Sequence, residues 1–416
     1  METTLLPNGE TTSLDIRPAP EDAFATIPIA LISRDTLSFV GLSNIKADEI
    51  WDQWTNWPSF PPSREIDPDD GGPQIPFFDF ICGQLENYKD VDGDDDAKWR
   101  QCLDQCGIDT AVQEAIMDPK YKNIRLTNSC LFWLRDTIEM RYAHLEGIKR
   151  ASRQPAVELR RVASQPNNAG SNGRGGRRGG RGGSSQQAGH NRGESAAQGQ
   201  QQQMMPGIST EHWSSRTVEA VINKPGYTVL FKGMDQARIV GLFDDNGALK
   251  GIQKLLSSWP SDFSGTRSFF YFTSDYEVAE YYAAYARRRA NNISTVMICL
   301  SIPKDAIENL EAPDIQRLYW PASQWKQLVW WSKTQRSLRK YRNALLIIGT
   351  ISKGPDRIFQ EMQTWEDMTD DCVLRVGPSN RSRPAVQYVF SGEEEGREFL
   401  IENSKIEVFP FSEADS

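Results

Sequence analysis

One stretch of this chain cannot build a core. Ser171 to Ser185 reads SNGRGGRRGGRGGSS and runs into a Gln, Gly and Ser tract that ends in QQQMM. Glycine multiplies the backbone states that folding must give up, and no apolar side chains lie nearby whose burial would offset that entropy. Residues 156–207 are therefore expected to be a disordered, flexible linker. It divides the 416 residues into a disordered tail at 1–25, a mainly helical domain at 26–155 and a third part at 208–416. Arg174, Arg177, Arg178 and Arg181 make the linker an RGG-type box, and no Asp, Glu or Lys interrupts Arg160 to Arg192. Guanidinium planes stack on bases and pair with phosphates, so the box is a candidate for sequence-tolerant RNA binding or for arginine methylation. The plainer reading is a soluble spacer.

The chain as a whole carries a formal charge of −9, which argues against a general electrostatic preference for nucleic acid. The six cysteines are scattered. Only Cys102 and Cys106 are close, and a CxxxC spacing without a nearby histidine predicts no metal site. Buried reduced thiols fit an intracellular protein, cytoplasmic or nuclear. The first residues, METTLLPNGETTSLDIRP, have no basic n-region and no apolar h-region. No run reaches the roughly 18 apolar residues a membrane span requires, so no membrane contact is expected.

In the first part, Ala25 to Ile32 reads as a short strand or buried segment. Ile45, Ile50, Trp51 and Trp54 recur at helical spacing up to Pro58. Tyr88 to Asp96 alternates aspartates around Gly93, but glycine falls at position four and Gln101 at position twelve. A calcium loop wants glycine at six and glutamate at twelve, so this is a solvated acidic loop. A long helix starts near Thr127, capped by Thr127 or Asn128, with Leu131, Leu134, Ile138, Leu145 and Ile148 on one face. A small all-helical domain is expected. IRLTNSCLFWLRDTIEMRY within it resembles a segment that recurs in fungal proteins.

The third part interleaves strands and helices, which argues for an α+β fold. Strands are expected at Tyr227–Lys232, Phe269–Thr273, Thr295–Ile302, Ala344–Ile351, Cys372–Gly377, Val386–Phe390 and Lys405–Phe409. A helix is expected over Asn246–Ser257. Another follows Ser274 and Glu277, a capping box, with Val278, Tyr281, Tyr282 and Tyr285 on one face. The tryptophans Trp320, Trp325, Trp330 and Trp331 read as core. The basic run Lys333 to Arg342 reads as a solvated helix face that could extend a polyanion surface. No glycine-rich phosphate motif is present.

Six motifs in order carry a resemblance. They are LFKG at Leu230–Gly233, DFSG at Asp262–Gly265 with FFYFT at Phe269–Thr273, and the helix with Ala279, Ala283 and Ala286. WKQLV at Trp325–Val329, DCVLRVGP at Asp371–Pro378 and VQYVF at Val386–Phe390 before EEEGREFL complete the set. Together they resemble the ADP-ribosyltransferase fold, and within it a bacterial and fungal branch of unknown function. The resemblance implies a split β-sheet with a cleft for NAD, and loss of nicotinamide with positive charge developing on the ribose. By motif position Lys232, Tyr271 and Gln387 would be catalytic, and Gly233, Phe270 and Thr273 would contact NAD. Lys232 stands where the branch has histidine, and Gln387 offers a dipole where a carboxylate would stabilise a cation. Phe269 replaces a glycine. Asp235, Glu393, Glu394 and Glu395 are alternative carboxylates. Three readings follow: a mono-ADP-ribosyltransferase acting on a protein or nucleic acid, a non-catalytic nucleotide- or partner-binding domain of the same fold, and an RNA-associated scaffold working through the box.

Overall fold

The computed structural model of the chain describes residues 27–58, 62–68, 73–163, 215–257, 261–290, 294–336, 338–378 and 380–411. Arg174, Arg177, Arg178 and Arg181, with most of the expected tail and linker, lie outside these.

The N-terminal part is helical: α1 (Arg34–Phe39), α2 (Asn44–Thr55), a parallel pair β1 (Ser63–Arg64) and β2 (Gln74–Ile75), α3 (Phe77–Leu85), α4 (Asp96–Gln105), α5 (Thr110–Ile116), α6 (Lys122–Arg125) and α7 (Cys130–Ala163). Short polar caps start several of these helices. Ser43 accepts from Lys46 N, and Asp109 from Ala111 N. At α7 the first-turn amides go to Asp90 Oδ1, 2.9 Å from Leu131 N, and to Ser129 Oγ. Thr127, expected as a cap, instead donates to the Ile124 carbonyl. The acidic loop stays solvated over Asp94 to Asp96, as expected, yet it also ties neighbours together: Asp90 holds amides, while Asp94 pairs with Lys122 and Asp96 with Arg125. The expected strand at Ala25–Ile32 does not form over the described residues 27–32. Ile45, expected on the buried face of α2, is 85% exposed, and Ala47, Ile50 and Trp54 form that face.

After α8 (Ser215–Ile222) come β3 (Tyr227–Asp235), β4 (Leu256–Ser257), β5 (Phe269–Thr273), α9 (Tyr276–Arg289), β6 (Thr295–Pro303), α10 (Lys304–Glu308), β7 (Ile315–Leu318) and α11 (Ser323–Lys333). Then follow β8 (Leu346–Thr350), α12 (Asp356–Glu361), the antiparallel pair β9 (Arg375–Val376) and β10 (Arg383–Pro384), β11 (Val386–Phe390), α13 (Glu394–Asn403) and β12 (Lys405–Phe411). The class is mixed α and β around one large sheet, ordered β12-β6-β3-β5-β11-β8-β7. Pairing is antiparallel except between β7 and β8. The resemblance implies a split sheet. Here the two halves remain hydrogen-bonded neighbours, but β3 meets β5 at one pair only, Phe231 opposite Thr273. β4 takes the rest of that edge of β5, pairing Leu256 with Phe270 and Ser257 with Phe269. The wedge that opens between the halves is thus filled by the chain itself.

Strand alternation sorts the core into faces. One face of β3, β6 and β12 carries Phe231, Met297, Cys299 and Phe409, packed with Ala279, Ala283 and Tyr285 of α9 and with the N-terminal helices in one cluster. The same face of β5, β11 and β8 carries Tyr271, Val389 and Ile347 under Trp325, Leu328 and Phe359. The opposite face of the whole sheet holds Leu230, Phe270, Phe272, Ile298 and Phe390 against Leu255 and Leu400. The N-terminal helices therefore share a core with the sheet. Polar contacts reinforce the junction: Asp136 of α7 binds Arg238 and Arg289, each at 2.7 Å, and Tyr285 Oη donates to the Ile116 carbonyl at 2.9 Å. No helix among the described residues is long and apolar enough to cross a membrane.

Gly233 shows how closely α9 lies on the sheet. A Cβ there would stand 2.2 Å from the Ala279 carbonyl oxygen and 2.7 Å from Ala283 Cβ. Backbone cannot yield as a side chain can, so Gly233→Ala is expected to cost about 1–3 kcal/mol. Thermal melting followed by circular dichroism should show a drop of about 2–10 °C; an unchanged midpoint would contradict this packing.

Candidate functional site: a buried polar cluster beneath one half of the sheet

The register decides which candidate residues meet. Thr273 lies opposite both Phe231 and Gln387, so these three side chains share a face. Tyr271, two residues from Thr273, joins them. Lys232 projects to the other side. Its Nζ donates to the Leu255 carbonyl at 2.7 Å and to Ser257 Oγ at 2.9 Å, and stands 5.9 Å from the centre of the Phe272 ring. Lys232 is thus the bolt that holds β4 in the wedge. Burial, with Arg238 nearby, lowers its pKa to about 7. The expected convergence of Lys232, Tyr271 and Gln387 on one groove does not occur.

Tyr271 and Gln387 do come together, around a residue quoted only as part of a motif. Asp262 is buried on the loop before β5. Its Oδ2 accepts from Ser352 N at 2.6 Å and from Gln387 Nε2 at 2.8 Å. Its Oδ1 accepts from Ser352 Oγ at 2.6 Å and lies 3.6 Å from Lys333 Nζ. Lys333, itself buried, also pairs with Asp356 at 3.2 Å. Tyr271 Oη accepts from Phe263 N at 3.1 Å, one residue along the same loop. Burial alone would lower the Lys333 pKa, but Asp356 and Asp262 outweigh it and raise it, so this lysine stays cationic. Burial pushes Tyr271 up to about 12, so it is a neutral phenol.

Chemically, the cluster is closed on itself. Both oxygens of Asp262 are occupied, the Gln387 amide is spent on Asp262 and on the Thr350 carbonyl at 3.4 Å, and Lys333 is neutralised. Such an arrangement ties the loop before β5 to α11, α12, β8 and β11. The residues expected to touch NAD are equally committed. Gly233 lies under α9, and Phe270 is fully buried in the core of the opposite face. Thr273 donates to the Val386 carbonyl at 2.7 Å and accepts from Asp275 N at 3.0 Å. Of the alternative carboxylates, Asp235 is buried and caps the turn after β3, and Glu393 pairs with Arg267 at 3.2 Å. The remaining two, Glu394 and Glu395, sit in the first turn of α13. Of the tryptophans expected as core, Trp325 is fully buried with Nε1 donating to the Thr350 carbonyl; Trp320 and Trp330 pack half-buried against that core, with Trp330 Nε1 donating to the Phe359 carbonyl, and Trp331 is half-buried outside it.

Sequence reasoning missed Asp262 and Lys333 as site residues. The signal for Lys333 was its spacing: Trp325, Leu328, Val329, Ser332 and Lys333 make the buried stripe of α11, so the lysine falls where an apolar residue is expected. Against known proteins, no family model, no curated protein and no solved structure matches this chain.

Proposed function

We propose that the C-terminal half is an ADP-ribosyltransferase-like domain that has given up transferase chemistry and acts as a partner-binding unit. The motif order supports the fold, as does a sheet that parts after a single residue pair. One observation carries the functional half of the reading: β4 occupies the wedge where the sheet parts, bolted there by Lys232, on the far side of the sheet from Tyr271 and Gln387. The residues do not fit NAD. A lysine already bonded to Leu255 and Ser257 stands where the ribose would be held, and the late strand presents an amide already bonded to Asp262.

The test is an incubation of the full-length protein with NAD labelled in the adenylate, following nicotinamide release and transfer to protein or RNA. Rates no higher than a buffer blank are expected. Release or labelling that is lost in Tyr271→Ala would overturn the reading in favour of an active transferase.

A further inference from the structure

Beyond the Asp262 cluster lies a second set of cations, most of them without a carboxylate partner among the described residues. A hollow of about 10 Å³ opens between the loop before β5 and the turn after α11, lined by Arg267, Arg336, Arg342, Ser264, Ser332 and Tyr341 among others. Such a volume seats about one water or one phosphate oxygen and no more. Arg336, Arg339, Lys340 and Arg342 are all exposed. Among the described residues none of these four has a carboxylate within salt-bridge distance, whereas Arg267 pairs with Glu393. Four unneutralised cations within seven residues stand out in a chain of net charge −9.

The backbone that presents them is held in place. Gln335, two residues past the end of α11, has φ of +56°, a left-handed conformation that a glutamine adopts only when its surroundings require it. The turn sends Arg336 back over the helix, where its guanidinium lies 5.2 Å from the Trp331 ring centre and 5.9 Å from that of Trp330. Gly265, with φ of +62°, brings the loop before β5 against the Arg336 carbonyl, where a Cβ would come within 2.6 Å. Lys340 sits 5.2 Å from the ring of Tyr341, whose own ring helps line the hollow. Cations and aromatic rings are thus interleaved along one short segment.

We infer that this segment is a contact for the phosphodiester backbone of single-stranded RNA, with Arg267, Arg336 and Arg342 seating one phosphate and Arg339 and Lys340 meeting the next. A single phosphate would need only the hollow. The cations beyond it call for a repeated anion, and the half-buried rings of Trp330 and Trp331, unlike the buried Tyr341, keep surface on which any base can stack. The inference does not depend on the loss of transferase chemistry: the hollow and the wedge involve different loops and opposite faces of the sheet.

The test is fluorescence anisotropy of a labelled 20-mer oligouridylate with the full-length chain over a series of KCl concentrations. Wild-type protein should bind with a salt-dependent affinity. Arg339→Ala/Lys340→Ala/Arg342→Ala, all at exposed positions and with an unchanged melting profile, should weaken binding about tenfold and flatten the log–log salt slope by about 2. A variant with Arg174, Arg177, Arg178 and Arg181 changed to Ala should keep that salt-dependent remainder. No RNA binding by the wild type would overturn the proposal, as would a triple variant with unchanged affinity and slope. Binding of a phosphopeptide in place of the oligouridylate would overturn it too.

Discussion

Asp136→Ala is expected to lower the unfolding free energy by about 3–5 kcal/mol, the cost of breaking a buried charge pair by removing one partner. Asp136 lies on α7, and the groups it neutralises, Arg238 and Arg289, belong to the sheet-bearing half. Arg289 is almost wholly buried, stacked 4.6 Å from Trp133 and 4.4 Å from Tyr285, and its Nη1 also donates to Thr137 Oγ1. Arg141 ties the same corner by donating twice to the Arg289 carbonyl, at 3.1 and 2.8 Å. Without the carboxylate the buried Arg289 would lose its counter-charge beside Arg238, which would keep only Glu139 at 3.5 Å. The change should therefore loosen the N-terminal helices from the sheet as well as destabilise each. Urea unfolding by circular dichroism reads the loss, and a second, earlier transition is expected. Asp136→Leu/Arg289→Met, which removes the buried pair and leaves Arg238 with Glu139 at 3.5 Å, should recover much of it.

The same group sets an acid limit. Burial raises the Asp136 pKa, but Arg238 and Arg289 outweigh it and hold the carboxyl at about 2. A depressed carboxylate contributes stability that is whole above the unfolded value of about 3.9 and is lost as pH falls toward 2. About 2 kcal/mol of pH-dependent stability is expected across that window, and Asp136→Asn should remove this dependence.

Asp262→Ala is expected to be nearly as damaging, at about 3–4 kcal/mol. Four groups would lose an acceptor or counter-charge at once: Ser352 N, Ser352 Oγ, Gln387 Nε2 and Lys333 Nζ. Lys333 would keep only Asp356, itself held up by burial. Because the cluster ties the loop before β5 to α11 and α12, the loss should appear in hydrogen exchange as earlier opening of residues 323–333 and 346–361. Combining the change with Lys333→Met should restore part of the stability. If Asp262→Ala melts like the wild type, the cluster is not the tie described.

Much of the architecture was legible because single apolar runs make single strands. β5 and β11 fall at the residues read from FFYFT and VQYVF, and β3, β6, β8 and β12 within a few. The helix expected over Asn246–Ser257 is instead a turn, a short 3-10 segment and the edge strand β4; Gly247, with φ of +78°, and Gly251 interrupt the periodic pattern there. Helix α9 begins after Asp275, one residue beyond the expected cap, because Thr273 takes the Asp275 amide. What a sequence cannot carry is register between segments far apart in the chain. One pairing, Phe231 with Thr273, decides that Lys232 and Tyr271 project from opposite faces, and a slip of one residue would have reversed that. Asp262 was hidden for the same reason, since its partners lie on β11, α11 and the residues after β8.

The most direct measurement is calorimetric titration of NAD into the full-length protein. With the wedge filled by β4 and the Asp262 cluster closed, no saturable heat is expected up to about 1 mM NAD, so any affinity would be weaker than about −4 kcal/mol. A stoichiometric isotherm below that concentration, abolished by Tyr271→Ala in a protein that still folds, would contradict the account.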